Sequence, residues 1–238
     1  MIITETINDL KVQPPVMLCD KDLGDIPEPL PCRSFFMIVS GSAGSGKTSF
    51  LVSLLSNKKP NIYRKVFENV FIMAPTNSLA SIKSNIFRNH PPEKVYNEMT
   101  PETLGNVREI VSKEAEEDFR SLLIIDDMTV YLKGNKQNEQ ILKDLIFNRR
   151  HRKLSIMLLV QSYTQIPLSI RKTVSHAVIF RPRNKKEWES FFEELLFNDK
   201  KTIQAIMEYV FKGKHDFLFA DVNTGDLFHN FNKLHIQE

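Results

Sequence analysis

The sequence predicts an α/β fold, with a mostly parallel central sheet, helices on both faces and a C-terminal β-hairpin. Five short apolar runs alternate with segments of helical spacing, the pattern of βαβ units. These runs are apolar almost throughout, as strands buried on both faces are. The chain has 238 residues, 42% apolar and 26% charged, enough to bury a core without a disulfide or metal scaffold.

The elements follow in order. Residues 1–34 carry Pro14, Pro15, Pro27, Pro29 and Pro31 and read as an extended N-terminal arm, leaving 35–238 as one domain. Residues 35–39 form the first buried strand. A glycine loop follows, then a helix with Phe50, Leu51, Leu54 and Leu55 on one face. Residues 70–73 are a second strand, stopped by Pro75. Residues 76–120 are polar, carry an acidic run at Glu114, Glu116, Glu117 and Asp118, and read as helices without a motif. Residues 122–125 are a third strand ending in two aspartates. Ile141, Leu142, Leu145 and Ile146 mark a helix running into Arg149 and Arg150. Residues 156–160 and 177–180 are the fourth and fifth strands. Trp188, Phe191, Phe192, Leu195 and Leu196 fall at i, i+3, i+4, i+7 and i+8, an amphipathic helix whose stripe is expected to face the core. Residues 217–228, with Asn223, Thr224 and Gly225 at the turn, read as the hairpin.

Composition excludes several classes. Residues 1–6 lack the basic start and apolar core of a signal peptide, and the apolar stretch 154–160 is far short of a bilayer span, so a soluble protein is expected. Cys19 and Cys32 make no CxxC and no Cys/His cluster, which excludes a zinc module; two reduced thiols are expected rather than a disulfide. The net charge of +3 hides an asymmetry: Lys143 to Lys186 holds 11 basic residues and one acidic residue, Asp144. Composition alone leaves two readings of that segment, a solvated face or a site for phosphate or a nucleic-acid backbone.

Gly41, Ser42, Ala43, Gly44, Ser45, Gly46, Lys47 and Thr48 fit G-x-x-x-x-G-K-[ST] between a strand and a helix. Backbone N–H groups of such a loop turn inward around phosphate oxygens, and the helix points its positive end at them. Lys47 would reach the β- and γ-phosphates of ATP, and the Thr48 hydroxyl would ligate Mg²⁺. Asp126, at the end of the third strand, would hold the same ion, and Asp127 would direct the attacking water. Gln161 ends the fourth strand, where an open α/β sheet binds ligand, and would contact the γ-phosphate or the water. The fold class is therefore a RecA-like P-loop NTPase. The guanine motif of a GTPase is missing, as is a transporter signature; a small-molecule kinase stays as an alternative, with the basic segment as its lid.

The ordered series Gly41 to Thr48, 122–127, Asn148-Arg149-Arg150-His151, 156–161 and the run from Ile166 and Pro167 to Ile170 and Arg171 resembles the FtsK–HerA superfamily. Within it, the series is most similar to the virion DNA-packaging ATPases of poxviruses and other large DNA viruses, over residues 35–228. The resemblance implies a homo-oligomeric ring that drives double-stranded DNA into a preformed capsid, at a capsid or portal vertex, without a membrane. It also implies an arginine finger supplied by a neighbouring subunit. Arg150 matches the arginine of the family's Arg-His pair, with Arg149 and Arg152 as alternatives and Arg171 as a second basic candidate. The work would be done in the host cytoplasm or viral factory, or in the virion. Lys133 and Lys136, in the loop after Asp127, face DNA or solvent on this reading. Another ring-forming DNA motor of the superfamily is the alternative. Asp127 departs from the glutamate frequent in related motors.

Overall fold

The computed structural model of the chain describes residues 22–56, 62–76, 87, 89–196 and 200–236. Six parallel strands are β1 (Phe36–Ser40), β2 (Asn69–Met73), β3 (Val95–Tyr96), β4 (Ser121–Asp126), β5 (Leu154–Val160) and β6 (His176–Phe180). Three antiparallel strands extend them: β7 (Phe217–Asp221), β8 (Leu227–His229) and β9 (Asn232–Lys233). The order across the sheet is β3-β2-β4-β5-β1-β6-β7-β8-β9. The helices are α1 (Lys47–Ser56), α2 (Pro101–Glu116), α3 (Lys136–Phe147), α4 (Leu168–Arg171), α5 (Lys185–Leu195) and α6 (Lys200–Val210).

Strand side chains alternate between two apolar layers, which is why the runs contain almost no polar residue. Phe36, Ile38, Leu123, Ile125, Ile156 and Leu158 pack under α2, α3, α5 and α6. Met37, Val39, Leu122, Ile124, Met157 and Leu159 pack under α1, together with Tyr63 and Phe67. Leu23 and Leu30 belong to this second layer, so the described part of the proline-rich segment rests on the α1 face. The Tyr63 hydroxyl donates to the Pro31 carbonyl (2.7 Å), and Arg120 donates to the carbonyl of Leu23 (3.1 Å), fixing it there.

The five sequence-read strands, α1, α2, α3 and α5 appear where the sequence analysis puts them. The Trp188 stripe is buried against the sheet, as expected. The helix carrying Leu142, Leu145 and Ile146 stops at Phe147, and Arg149 and Arg150 fall in turns before β5. Cys32 is a free, exposed thiol, whereas Cys19, Pro14 and Pro15 lie outside the described residues, as do all of residues 77–86 in the polar stretch. Among the described residues no helix is long and apolar enough to cross a membrane.

Parallel strands sort the chain into two ends. The C-terminal ends of β1, β4, β5 and β6 lead into the glycine loop, the two aspartates, Gln161 and residues 181–184. The N-terminal ends gather Phe35, residues 148–153 and His176. Because β5 lies between β1 and β4, Gln161 emerges between the glycine loop and the aspartates.

Candidate active site

The glycine loop is held by the strand next to it: Gly41 N–H donates to the Val160 carbonyl (3.0 Å), and Phe50 N–H donates to Gly46 O (2.8 Å) as α1 begins. Phe180 presses against the loop from β6. A Cβ on Gly41 would lie 2.5 Å from Ser45 Oγ and 2.8 Å from Phe180 Cβ, so a side chain there would displace the loop. Gly46 takes φ +122°, a conformation that L side chains rarely adopt.

Lys47 is 7% exposed, and its ammonium donates to Gly41 O (2.6 Å) and Ser42 O (3.3 Å), at the centre of the loop. Burial lowers its pKa; the carboxylates of Asp127 and Asp126 work against that, and Arg183 adds to it. The two aspartates predicted from the sequence therefore sit close enough to act on the loop lysine. Asp126 is 6% exposed at the end of β4. Asp127 has φ +52° and donates its N–H to the Leu159 carbonyl (3.0 Å). A left-handed backbone at a non-glycine position favours aspartate several-fold, which explains why this site carries Asp127 and not the longer glutamate. The Gln161 amide donates to Asp127 Oδ2 (3.0 Å), joining the ends of β4 and β5 across the site.

Three further residues at this end are not singled out by the motif reading. Arg183 follows β6 closely enough for its charge to act on Lys47. An arginine just beyond a buried strand is the signal that could have found it, the same placement that identifies Gln161. Glu187 is 5% exposed and accepts from Tyr163 N–H (2.6 Å), pinning the turn that follows Gln161 to the first turn of α5. His215 Nδ1 contacts the Ser45 carbonyl at 2.9 Å from the loop before β7. Neither Glu187 nor His215 has a local sequence pattern.

The arginines expected to act elsewhere divide by their partners. Arg152 is 17% exposed at its side chain and is committed internally, donating to Ser112 Oγ (3.1 Å), Asp144 O (2.9 Å) and Asp144 Oδ2 (2.9 Å). Arg149 is half-buried and donates to the Ile146 carbonyl at the end of α3 (3.0 Å). Arg171 is 11% exposed, lies 3.1 Å from Glu194 in an ion pair not aligned as a hydrogen bond, and stacks on Tyr163 (4.9 Å). That buried pairing makes Arg171 a core residue and removes it as a candidate for phosphate. Arg150 is the exposed one of the three in residues 149–152, at the N-terminal ends of the strands and so at the opposite end of the sheet from Lys47.

The basic segment is not one patch. Lys143 pairs with Glu139 (2.9 Å), Arg152 with Asp144 and Arg171 with Glu194, while Arg183 and the turn of Arg150 lie at opposite ends of the sheet. Lys133, in the loop leaving Asp127, and Lys136, the first residue of α3, are both exposed.

The residues fit a magnesium nucleotide. Ser45 Oγ is buried in the loop with no hydrogen-bond partner among the described residues, a polar atom that a phosphate oxygen would satisfy. No group of three or more His, Cys, Asp or Glu side chains among them forms a cation cage. Mg²⁺ takes one or two protein oxygens and completes its shell with phosphate and water. Thr48 and Asp126 supply hard oxygens of that kind.

A family model described as "Poxvirus A32 protein" matches residues 28–219. Among curated relatives, the DNA packaging protein OPG160 of vaccinia virus (strain Copenhagen) is 28% identical over 155 residues, covering 61% of this chain and 53% of that protein. An uncharacterised protein, 075L, of invertebrate iridescent virus 6 is 27% identical over 161 residues, covering 66% of this chain and 58% of its own. The chain thus spans little more than half the length of these relatives. Among solved structures, B204, the DNA-packaging ATPase of Sulfolobus turreted icosahedral virus, superposes with a TM-score of 0.64 at 15% identity, covering 85% of this chain and 99% of that one. The cytoplasmic domain of the type VII secretion ATPase EccC of Thermomonospora curvata gives 0.53 at 12% identity, covering 85% of this chain and 24% of that one. These two likenesses establish the P-loop ATPase fold.

Proposed function

The chain belongs to the Poxvirus A32 protein family, and we propose that it is an ATP hydrolase that drives double-stranded DNA into a preformed viral capsid. The observation that carries this reading is the grouping of Lys47, Asp126, Asp127 and Gln161 at one end of the sheet, with Arg150 exposed at the other. The names of the vaccinia and Sulfolobus-virus relatives supply the packaging role.

On this reading ATP lies on Gly41 to Thr48. Lys47 exchanges the carbonyls of Gly41 and Ser42 for the β- and γ-phosphate oxygens. Thr48 and Asp126 would hold Mg²⁺, which when bound would neutralise charge on the phosphates. Asp127, oriented by the Gln161 amide, accepts a hydrogen bond from the attacking water and aims it at the γ-phosphorus. Arg150 is too far round the sheet to serve its own site, so it completes a neighbour's, where it offsets charge developing on the γ-phosphate. A site built from two different surfaces of one chain makes a head-to-tail contact, and such contacts form a ring when the rotation between subunits closes. The ring would hold DNA through phosphate contacts, since a packaging motor must pass any sequence, and Lys133 and Lys136 are placed to contribute. It would act at a capsid or portal vertex, in the host cytoplasm or viral factory or as a virion component. Residues 1–34 would be an arm separate from the ATPase domain, although its described part packs on that domain through Leu23 and Leu30.

The test is steady-state ATP hydrolysis over a range of protein concentrations, with and without long double-stranded DNA. The expected rate rises faster than linearly with protein and is stimulated by DNA, and the stimulation falls steeply with salt. A rate linear in protein and indifferent to DNA, from a sample shown to be oligomeric, overturns the reading.

A further inference from the structure

A cavity of about 670 Å³ opens beside the glycine loop, within the range of small-molecule sites. Its walls are Gly46 of the loop, one face of α1 with Phe50, and Phe180 and Phe217 from the facing ends of β6 and β7. Phe231, in the turn between β8 and β9, closes its outer side, and Leu30 reaches it from the N-terminal segment. Phe50 and Phe217 meet edge-on at 5.3 Å, as do Phe217 and Phe231 at 5.3 Å, while Phe50 and Phe231 are stacked at 6.1 Å. Phe50, Phe180 and Phe217 are at most 8% exposed, but Phe231 is 42% exposed, an unusual state for a ring so well supported from behind.

We propose that this cavity takes the base of the nucleotide whose phosphates lie on Gly41 to Thr48, and that it holds the base by stacking without reading its edge. The proposal rests on the nucleotide-binding reading of the loop. Gly46 is shared by loop and cavity, so a ligand with phosphates in the loop can extend into an aromatic pocket without leaving the surface. Among the described residues, the polar side chains that reach the cavity are Glu28, Ser49, Ser53 and His215, and all four are exposed. Discrimination between bases requires buried polar groups that are left unsatisfied by the wrong one; a stacking pocket whose polar groups stay hydrated separates isosteric ligands only weakly. Every base has a π-face, so Phe231 accepts purines alike.

The experiment is equilibrium binding to the full chain with Mg²⁺, by competition against a fluorescent nucleotide, using ATP, GTP and inorganic tripolyphosphate. ATP and GTP are expected to bind within about tenfold of each other, and tripolyphosphate about tenfold or more weaker than ATP. Phe231→Ala is expected to weaken ATP about tenfold and leave tripolyphosphate unchanged, which separates loss of the base site from damage to the loop. Tripolyphosphate binding as tightly as ATP, or an equal loss of both ligands in Phe231→Ala, overturns the base pocket while leaving the loop assignment intact. A preference for ATP over GTP of a hundredfold or more overturns the absence of base reading. No binding of any of the three overturns the nucleotide site itself, and the pocket with it.

Discussion

The two ends of the parallel strands use their polar groups differently. At the C-terminal ends polar groups converge without being used up: Lys47 borrows loop carbonyls, Ser45 Oγ is buried without a hydrogen bond, and Asp127 sits at positive φ. At the N-terminal ends most of the cations are engaged within the chain, although Arg149 Nε and Ser121 Oγ are buried without a hydrogen-bond partner among the described residues. Arg152 makes three hydrogen bonds, Arg149 caps α3, Lys153 donates to Ala115 O (2.7 Å) at the end of α2, and Ser175 Oγ closes on Phe36 (3.0 Å). Arg150 differs from Arg149 and Arg152 in being exposed to solvent. What sets the C-terminal ends apart is the convergence of a lysine, two aspartates and a glutamine on one loop, whereas at the N-terminal ends Arg152 and Lys153 are spent on partners within the chain.

That contrast is broken most severely by Arg150→Ala. It should reduce kcat for ATP hydrolysis about 10³-fold while leaving the thermal midpoint unchanged, measured by steady-state turnover and calorimetry. A large loss of stability instead would make Arg150 one more structural cation. Asp127→Asn comes next: it keeps the size and the tolerance of positive φ but removes the base, and should cost about 10²-fold in kcat with nucleotide affinity retained. Arg152→Ala should do the reverse, lowering stability by about 1–2 kcal/mol through loss of its bonds to Asp144 and Ser112 while turnover per folded subunit is preserved. Denaturant melts of the two arginine variants side by side therefore sort finger from staple.

The smallest effect is in pH. Burial lowers the pKa of His176 to about 4, against the pull of Asp221. The unfolded chain, with an ordinary histidine near 6.5, takes up the proton first, so stability is fully present above pH 6.5 and is lost as pH falls toward 4. Melts at pH 7 and pH 5 should differ by about 1–2 kcal/mol more in the parent than in His176→Gln.

The C-terminal ends were the legible half of the molecule. Gly41 to Thr48, Asp126, Asp127 and Gln161 each follow a buried apolar run, and the run locates both the strand and the end at which ligand binds. The rest was hidden for physical reasons. β3 and β9 have two residues each, too few to show a period. Glu187 and His215 act through contacts 24 and 170 residues away in sequence, with Tyr163 N–H and the Ser45 carbonyl respectively. α6 did carry its signal, in the spacing of buried Ile203, Ile206 and Val210, although no element is assigned to it above. Composition misled at the basic segment, because the acids that neutralise Lys143 and Arg171, Glu139 and Glu194, lie outside it.

The central claim is that the two ends meet across a subunit boundary. Equal amounts of Lys47→Ala and Arg150→Ala protein, each inactive alone, should be mixed, allowed to exchange subunits, and assayed for ATP hydrolysis. In a randomly mixed head-to-tail ring an intact loop faces an intact arginine at about a quarter of the contacts, so about a quarter of the parent rate should return. A mixture that assembles into the same oligomer yet stays as inactive as its components would contradict the account.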